Sequence, residues 1–587
     1  MAKLMTWSVV VMSIVLAAAA RGDASVPDGA TSMIGSLGDV RMTGVEPLST
    51  GESLTVRVAE VGEHPWSSQV AWHIDSGVEV GDVLLLRVRC RTLQADTGEG
   101  AFGLNVEQYE GDWSKLASAG YLVPKEWTTF NLPFVADQAY GPGQWQVALH
   151  LGSIWQDIEF AEVSLLQMPA GTDIGTLPRT MTSYAGRAID APWRAEALER
   201  IEKLRVSDVR VIAVDEQGVP IAGATVTAEQ TRSAFAFGSA ITARHASGTE
   251  QPLSPYRAIA TQFFNEIVFE NAMKWEHHGL GDQRQIDAAL VWALDNGMTA
   301  RGHTLVWPGW RNLPASVKAL EHDPFALSRA VESRVVSTVF RYRRRLAEWD
   351  VVNEAYANHD LMDILGYDHV AKWFRMADAA APEARMYIND YGILTAGRVG
   401  SPQQDAYFNL ITQLLADGTP VEGIGMQGHF GGLLTPPAVM VDIFDRFATL
   451  GLPIKITEYD LNSDDDALQA DYLRDVLIAA YSHEAVEGVV IWGFWAGAHW
   501  RPDAAMFRED WTARPHADVW RELVLNEWKR VEPATTNAEG VATIRAHHGT
   551  YAVRVSRPDG RAAKIDVEVA NDAGPIRVVV RDRPARR

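Results

Sequence analysis

One cysteine, Cys90, stands in 587 residues, so no internal disulfide can form and stability has to come from packed cores. Positive charge is scarce as well: 53 Lys and Arg against 75 Asp and Glu leave a formal charge of −22. Nucleic acid, which attracts Lys- and Arg-rich surfaces, is a poor partner for such a chain. Anionic membranes and polyanions are disfavoured on the same ground, whereas a neutral or weakly acidic partner fits. Apolar runs of the roughly 20 residues needed to span a bilayer are missing too. So is any third ligand near His277 and His278, which read as an exposed pair and a weak metal signal.

What is present divides the chain. Its length sets a prior of about three or four domains, and 47% apolar with 22% charged residues is ordinary for a globular protein. Residues 1–24 read as a signal peptide: Lys3 gives the positive start, Trp7 to Ala20 is apolar, and small residues run to Ala24. A secreted or periplasmic protein, free of the membrane after signal cleavage, is expected. Residues 25–168 alternate short apolar runs with Gly, Pro and Asp, among Trp66, Trp72, Trp113, Trp127, Trp145 and Trp155. That pattern predicts an antiparallel β-sandwich. Residues 169–232 read as a linker, a helix capped by Asp190 with Pro192 in its first turn, and a β-hairpin turning at Asp215-Glu216-Gln217-Gly218. Residues 529–587 alternate again, as a small C-terminal β-sandwich with a basic, solvated tail from Arg581.

Over 233–528, strand and helix patterns repeat. Strand candidates fall at 235–241, 266–269, 298–306, 348–352, 385–388, 423–426, 454–457 and 488–492. Between them, 282–296 opens with Asp282 and stops at Gly297, and Ser401-Pro402-Gln403-Gln404 opens a helix with Tyr407, Ile411 and Leu415 on one face. Eight such units fit a closed (β/α)8 TIM barrel in a multidomain chain, flanked by β-sandwiches. The rival, a doubly wound open sheet, lacks a Gly-rich phosphate loop after its first strand.

Glu354 and Glu458 end two apolar, β-branched runs, Trp349-Asp350-Val351-Val352-Asn353 and Ile454-Lys455-Ile456-Thr457. A strand apolar on both faces belongs in a buried parallel sheet, where a carboxylate is expensive without a task. The C-terminal end of a barrel strand lies at the mouth, where active sites form. Two carboxylates facing across a mouth are what glycosidic bond cleavage requires. The other strand ends are polar or aromatic too: Glu270-Asn271 with Lys274, His303 with Trp307, Asn389-Asp390-Tyr391, Gln427 with His429, Tyr459-Asp460, and Trp492 with Trp500 beyond. Flat rings can stack on pyranoses while Asn, Gln, His and Lys bind hydroxyls. Singly, each has a duller reading. Trp292 and Trp373 sit on helical faces as packing residues, His303 alone reads as a satisfied buried histidine, and Glu270 and Asp350 as ion-pair partners. Recurrence at the ends of strands two to eight is what chance would not repeat.

The stretches 270–275, 301–307, 349–355, 388–391, 423–429 and 456–460 resemble glycoside hydrolase family 10, best known for endo-β-1,4-xylanases. The resemblance covers the barrel, about half the chain, in the family's order. It implies a retaining double displacement with Glu354 as general acid/base and Glu458 as nucleophile, one carboxyl starting protonated and the other ionised. It also implies that His429 and Asp460 hold Glu458 ionised, and that Asn353 bonds the 2-hydroxyl at the cleavage point. Asn271, Lys274, His303, Trp307 and Gln427 would hold the non-reducing-side sugars, with Trp492 and Trp500 closing over them and Glu270 in support. No metal or organic cofactor is implied. Departures lie in the loops: Tyr459 where the family usually has Leu, Pro308-Gly309-Trp310 for the usual His and Gln, and an unusual stretch over 494–500. They leave the polymer and the number of subsites open. The N-terminal sandwich is similar to carbohydrate-binding modules of the broad family 4, 9 and 22 type, on Trp127, Phe130, Phe134 and 158–165.

The expected activity is a secreted endo-β-1,4-xylanase whose partner is polysaccharide, xylan first. The rivals are the same mechanism on mixed-linkage β-glucan or cellulose, a barrel that only binds polysaccharide, and a surface adhesion protein. Oligomeric state is not legible.

Overall fold

The computed structural model describes residues 26–581 apart from 35–36, 63, 97–98, 249–254 and 572–573. The signal-like segment 1–24 and the tail beyond Arg581 lie outside the described residues. The chain forms two compact units, Met1–Thr182 and Ser183–Arg587. Among the described residues no helix is long and apolar enough to cross a membrane.

In the first unit the alternating runs become a sandwich of two antiparallel sheets. One runs Glu46–Ser49, Leu54–Val58, Gln156–Gln167, Val83–Ala95, Thr128–Val135, with Thr31–Ser32 paired to Gln156–Gln167. The other runs Arg41–Thr43, Gln69–His73, Trp145–His150, Gly100–Gln108, Lys115–Val123. Every second residue points inward, so Trp72, Phe102, Leu104, Trp145 and Val147 meet Leu84, Leu86, Val88, Ile158 and Phe160. Phe130 and Phe134 are core as well, and Trp127 lies under the guanidinium groups of Arg89 and Arg91.

In the second unit eight parallel strands close into a barrel: β1 (Ala236–Ile241), β2 (Glu266–Phe269), β3 (Thr299–Gly302), β4 (Glu348–Asn353), β5 (Arg385–Asp390), β6 (Gly423–Phe430), β7 (Ile454–Leu461) and β8 (Val486–Ile491). The third strand is shorter than the expected 298–306. After Gly302 the chain turns so that His303 and Thr304 bond Asp350, and Val306 rejoins only as a bridge to Val352. The helix Pro324–Tyr342 buries one stripe, Leu327, Val331, Val335 and Val339, against the barrel, at about 1.5–3 kcal/mol per side chain. Ser401 caps its helix as expected, accepting from Gln404 N at 3.2 Å.

The lower half of the barrel interior is charged. Lys455 of β7, almost wholly enclosed, pairs with Glu266 at 2.9 Å and with Glu348. Glu348 also meets Arg301, whose other face reaches Asp350 at 2.6 Å. Breaking one such buried pair leaves an uncompensated charge, a loss of about 3–5 kcal/mol.

Three expectations need correction. Asp190 is not the cap of the helix Pro192–Leu204; Ala191 occupies that position with no side-chain bond, because Pro192 starts the helix one residue later than an Asp190 cap requires. His277 and His278 are not an exposed pair: the His278 ring lies half-buried between Tyr342 Oη and Arg334 Nη1, both at 2.9 Å. The turn over 215–218 closes as expected, with Asp215 N donating to Val219 O at 3.0 Å, Ile221 N to Ala213 O at 2.9 Å and Val214 bridging Pro220, but beyond it the two strands go to different sheets instead of pairing as a hairpin. Val206–Val214 pairs with Val541–His547 and Ile576–Val579, while Thr225–Ser233 pairs with Ala534–Thr535 and Gly549–Ser556. The second sandwich is therefore assembled from both sides of the barrel sequence, because Val209, Val211 and Val226 share an apolar core with Ile544, Tyr551, Val553 and Val555.

A chain cut at Lys529 should consequently lose solubility, since those valines would be left bare. Residues 183–581 should instead give one cooperative calorimetric transition. A soluble, cooperatively melting chain ending at Lys529 would contradict the shared sandwich.

Candidate active site

The polar residues that end the barrel strands converge at one mouth. Glu458 lies within β7 and is only 4% exposed. Its Oε1 accepts Asn389 Nδ2 at 2.8 Å, its Oε2 meets His429 Nε2 at 3.1 Å, and His303 comes within 3.9 Å. Burial pushes its pKa up, but His303, His429 and Lys274 outweigh that and hold it at about 2. The His429 ring is clamped on its other side by Asp460 at 2.9 Å. Burial pushes this imidazole down, yet its bonds to Asp460 and Glu458 raise it to about 9. Asp460 is held in turn by Trp500 Nε1 at 2.8 Å and Arg501 Nη1 at 3.3 Å.

Glu354 follows β4 directly and has φ +56°, a left-handed conformation that costs a non-glycine residue about 1–3 kcal/mol. Two bonds hold it there: Glu354 N donates to Asn389 O at 2.8 Å, and Asn358 N donates to Glu354 O at 3.0 Å. The turn lifts the carboxylate out of the strand into the mouth. Among the described residues its oxygens accept only neutral donors, Gln427 Nε2 at 3.0 Å, Trp307 Nε1 at 3.2 Å and Asn358 Nδ2 at 3.1 Å. Burial raises its pKa above the ordinary carboxylate value, and Glu458 adds to the push. Beside it, Asp390 is pushed up to about 8 by burial and then by Glu354.

Asn353 joins the two carboxylates. Its Oδ1 accepts Asn389 Nδ2 at 2.9 Å and Gln427 Nε2 at 3.4 Å, so those amides serve both sides at once. Its own Nδ2 is buried with no partner among the described residues. A buried donor left open is costly and marks where a ligand oxygen belongs.

Around this pair stand the remaining expected residues. Lys274 Nζ donates to Asn271 Oδ1 at 2.9 Å and lies over the Trp307 ring at 5.2 Å. Glu270 is buried beside them, its pKa raised chiefly by that burial. His303 packs edge-on to Trp492 at 5.2 Å. Trp500 stands half exposed, edge-on to His429 at 4.9 Å, under the Arg501 guanidinium. All thirteen sequence-derived positions thus share one mouth. Residues without an assigned role join them: Asn389, fixed by Thr457 Oγ1 at 2.7 Å, Asn358 and Arg501. Asn389 was visible as a polar strand end; nothing local marked Asn358. Among the described residues no group of three or more His, Cys, Asp or Glu is arranged to hold a metal ion.

Residues 227–522, half of the chain, match the model of glycosyl hydrolase family 10, and the chain belongs to that family. It is 32% identical over 414 residues to the anti-sigma-I factor RsgI6 of Acetivibrio thermocellus, covering 70% of this chain and 52% of that protein. It is 29% identical to an endo-1,4-beta-xylanase 5-like protein of Arabidopsis thaliana, covering 62% of this chain and 65% of that protein. The chain thus spans between about half and two thirds of the length of these relatives. A solved structure, xylanase 10B from Thermotoga petrophila RKU-1 with xylobiose, is 27% identical, covers 50% of this chain and 95% of that one, and superposes with a TM-score of 0.45.

The raised pKa of His429 has a measurable consequence. A histidine that binds its proton more tightly when folded adds stability below its unfolded pKa near 6.5, and loses it as pH climbs through about 9. Denaturant melts of the wild type and His429→Gln should therefore differ by about 3 kcal/mol at pH 6 and converge above pH 9. A gap that is flat with pH would contradict the imidazolium.

Proposed function

We propose that this protein is a retaining endo-β-1,4-xylanase, exported by way of its first 24 residues. The observation that carries this reading is the opposite tuning of the two carboxyls that share Asn353: Glu354 raised among neutral donors, Glu458 lowered to about 2 among cations. Glu354 starts protonated and gives its proton to the glycosidic oxygen. Glu458 attacks the anomeric carbon from the other face, forming a glycosyl ester as the leaving sugar departs. Glu354, now a carboxylate, takes a proton from water, which opens the ester. Asn353 Nδ2 donates to the 2-hydroxyl at that sugar, a bond that strengthens in the transition state. Lys274, Asn271 and His303 bind neighbouring hydroxyls, and Trp492 and Trp500 cover the rings. The name of the Arabidopsis relative favours xylan over mixed-linkage glucan.

The N-terminal unit is proposed to bind polysaccharide, at a place other than Trp127, Phe130 and Phe134. The face of its second sheet turned away from the core carries a polar row, His73 with the buried Gln146, Glu107, Asn105 and His150. Trp66, 53% exposed, stands beside His150 at one end, and Tyr109 with Trp113, 47% exposed, beside His73 at the other. Polar floor and aromatic ends suit an extended glycan.

Glu458→Gln should lower hydrolysis of xylan by several orders of magnitude while the protein still folds and melts cooperatively. Proton NMR of the first sugar released should show the β anomer; an α anomer would force an inverting assignment. Greater turnover on β-glucan or cellulose than on xylan would overturn the polymer, not the chemistry. For the N-terminal unit, full-length Trp66→Ala/Trp113→Ala should migrate freely through an affinity gel that retards the wild type. Equal retardation of both would show that those rings grip nothing.

A further inference from the structure

Asn358 lies four residues after Glu354 in the loop beyond β4 and is 3% exposed. Its Nδ2 donates to Glu354 Oε2 at 3.1 Å, and also reaches Glu354 O at 3.3 Å. Trp307 Nε1 donates to the same Oε2 at 3.2 Å. A carboxylate oxygen offers two in-plane lone pairs, so Oε2 is filled. Oε1 takes one bond, from Gln427 Nε2 at 3.0 Å, and keeps one lone pair open. A proton on Oε2 has to displace a buried donor, whereas one on Oε1 displaces none.

The amide cannot turn away. Asn312 Nδ2 donates to Asn358 Oδ1 at 3.1 Å, which fixes Nδ2 toward Glu354. Gly309 passes so close that a β-carbon there would lie 2.4 Å from Asn358 Oδ1. The turn at Pro308-Gly309-Trp310 is thus shaped around this side chain.

We propose that Asn358 is a positioning residue which, with Trp307, occupies Oε2 of Glu354 and so confines the transferable proton to Oε1. This rests on Glu354 being the general acid. In the first step the O–H bond at Oε1 breaks as the glycosidic oxygen takes the proton and leaves with the C–O pair. In the second, Oε1 regains a proton from water. Without Asn358 part of the acid carries its proton on the wrong oxygen.

The test uses the full chain with Asn358→Ala, Asn358→Asp and Glu354→Ala. Turnover is measured on a xylo-oligosaccharide, whose leaving group needs a proton, and on a dinitrophenyl β-xylobioside, whose leaving group does not. Asn358→Ala is expected to lose about ten- to a hundred-fold on the first, a fraction of the 10²–10⁴ that general acid catalysis supplies, and less than about three-fold on the second. Asn358→Asp, nearly isosteric, places a second carboxylate by Glu354, and the basic limb of its kcat/KM profile is expected to move to higher pH. Equal loss on both substrates, or an unmoved basic limb in a folded Asn358→Asp protein, would overturn the role of Asn358. If Glu354→Ala itself shows no leaving-group dependence, the acid assignment fails instead.

Discussion

A carboxylate enclosed as fully as Glu458 keeps its charge only if cations and donors replace the water it has lost. Each replacement here needs support of its own. His429 is an imidazolium because Asp460 sits on its far nitrogen, and Asp460 is steadied by Trp500 and Arg501. His303 is oriented by Asp350, which pairs with Arg301, then Glu348, Lys455 and Glu266. The charge at the barrel mouth is thus the top of an alternating series that runs down the barrel interior. Buried ion pairs of this kind add little net stability compared with apolar packing. What this series supplies is a fixed position and a fixed charge for one oxygen pair.

Glu354 stands at the same mouth under the opposite rule. Among the described residues no cation is hydrogen-bonded to it; its partners are an indole and two amides, so burial dominates, opposed by the Gln427 bond, with the charge of Glu458 a lesser push upward. Two identical side chains thereby acquire different resting states, the condition for one to act as acid and the other as nucleophile. Asn353 and Asn389 tie the halves together: a shift of either amide would disturb both carboxylates and the donor left open for a ligand.

Much of this was legible in the chain. The β-branched runs before Asn353 and Glu458 declared parallel strands, and the polar residues at successive strand ends declared the mouth. The charged interior was not legible. Lys455 sits in an apolar run, and its partners Glu348 and Glu266 are 107 and 189 positions away, so no local pattern links them. The same limit hid the second sandwich. Alternation marks 206–214 and 541–547 as strands, but pairing across the whole barrel sequence leaves no short-range trace, and a nearby turn at Asp215 suggested a hairpin instead. Aromatic count misled in the N-terminal unit, where Trp72 and Trp145 are core while Trp66 and Trp113 remain outside. Asn358 escaped because a lone Asn in a loop has no periodic or positional mark.

The opposite tuning of the two carboxyls is tested most directly by carbon-13 NMR of glutamate-labelled protein, titrated in the wild type and in Glu458→Gln. The expected result is that Glu458 stays ionised down to the lowest pH at which the fold survives, while Glu354 titrates above the ordinary glutamate value and falls once Glu458 is neutral. Two carboxyls titrating together near the ordinary value, with Glu354 indifferent to the Glu458 substitution, would contradict it.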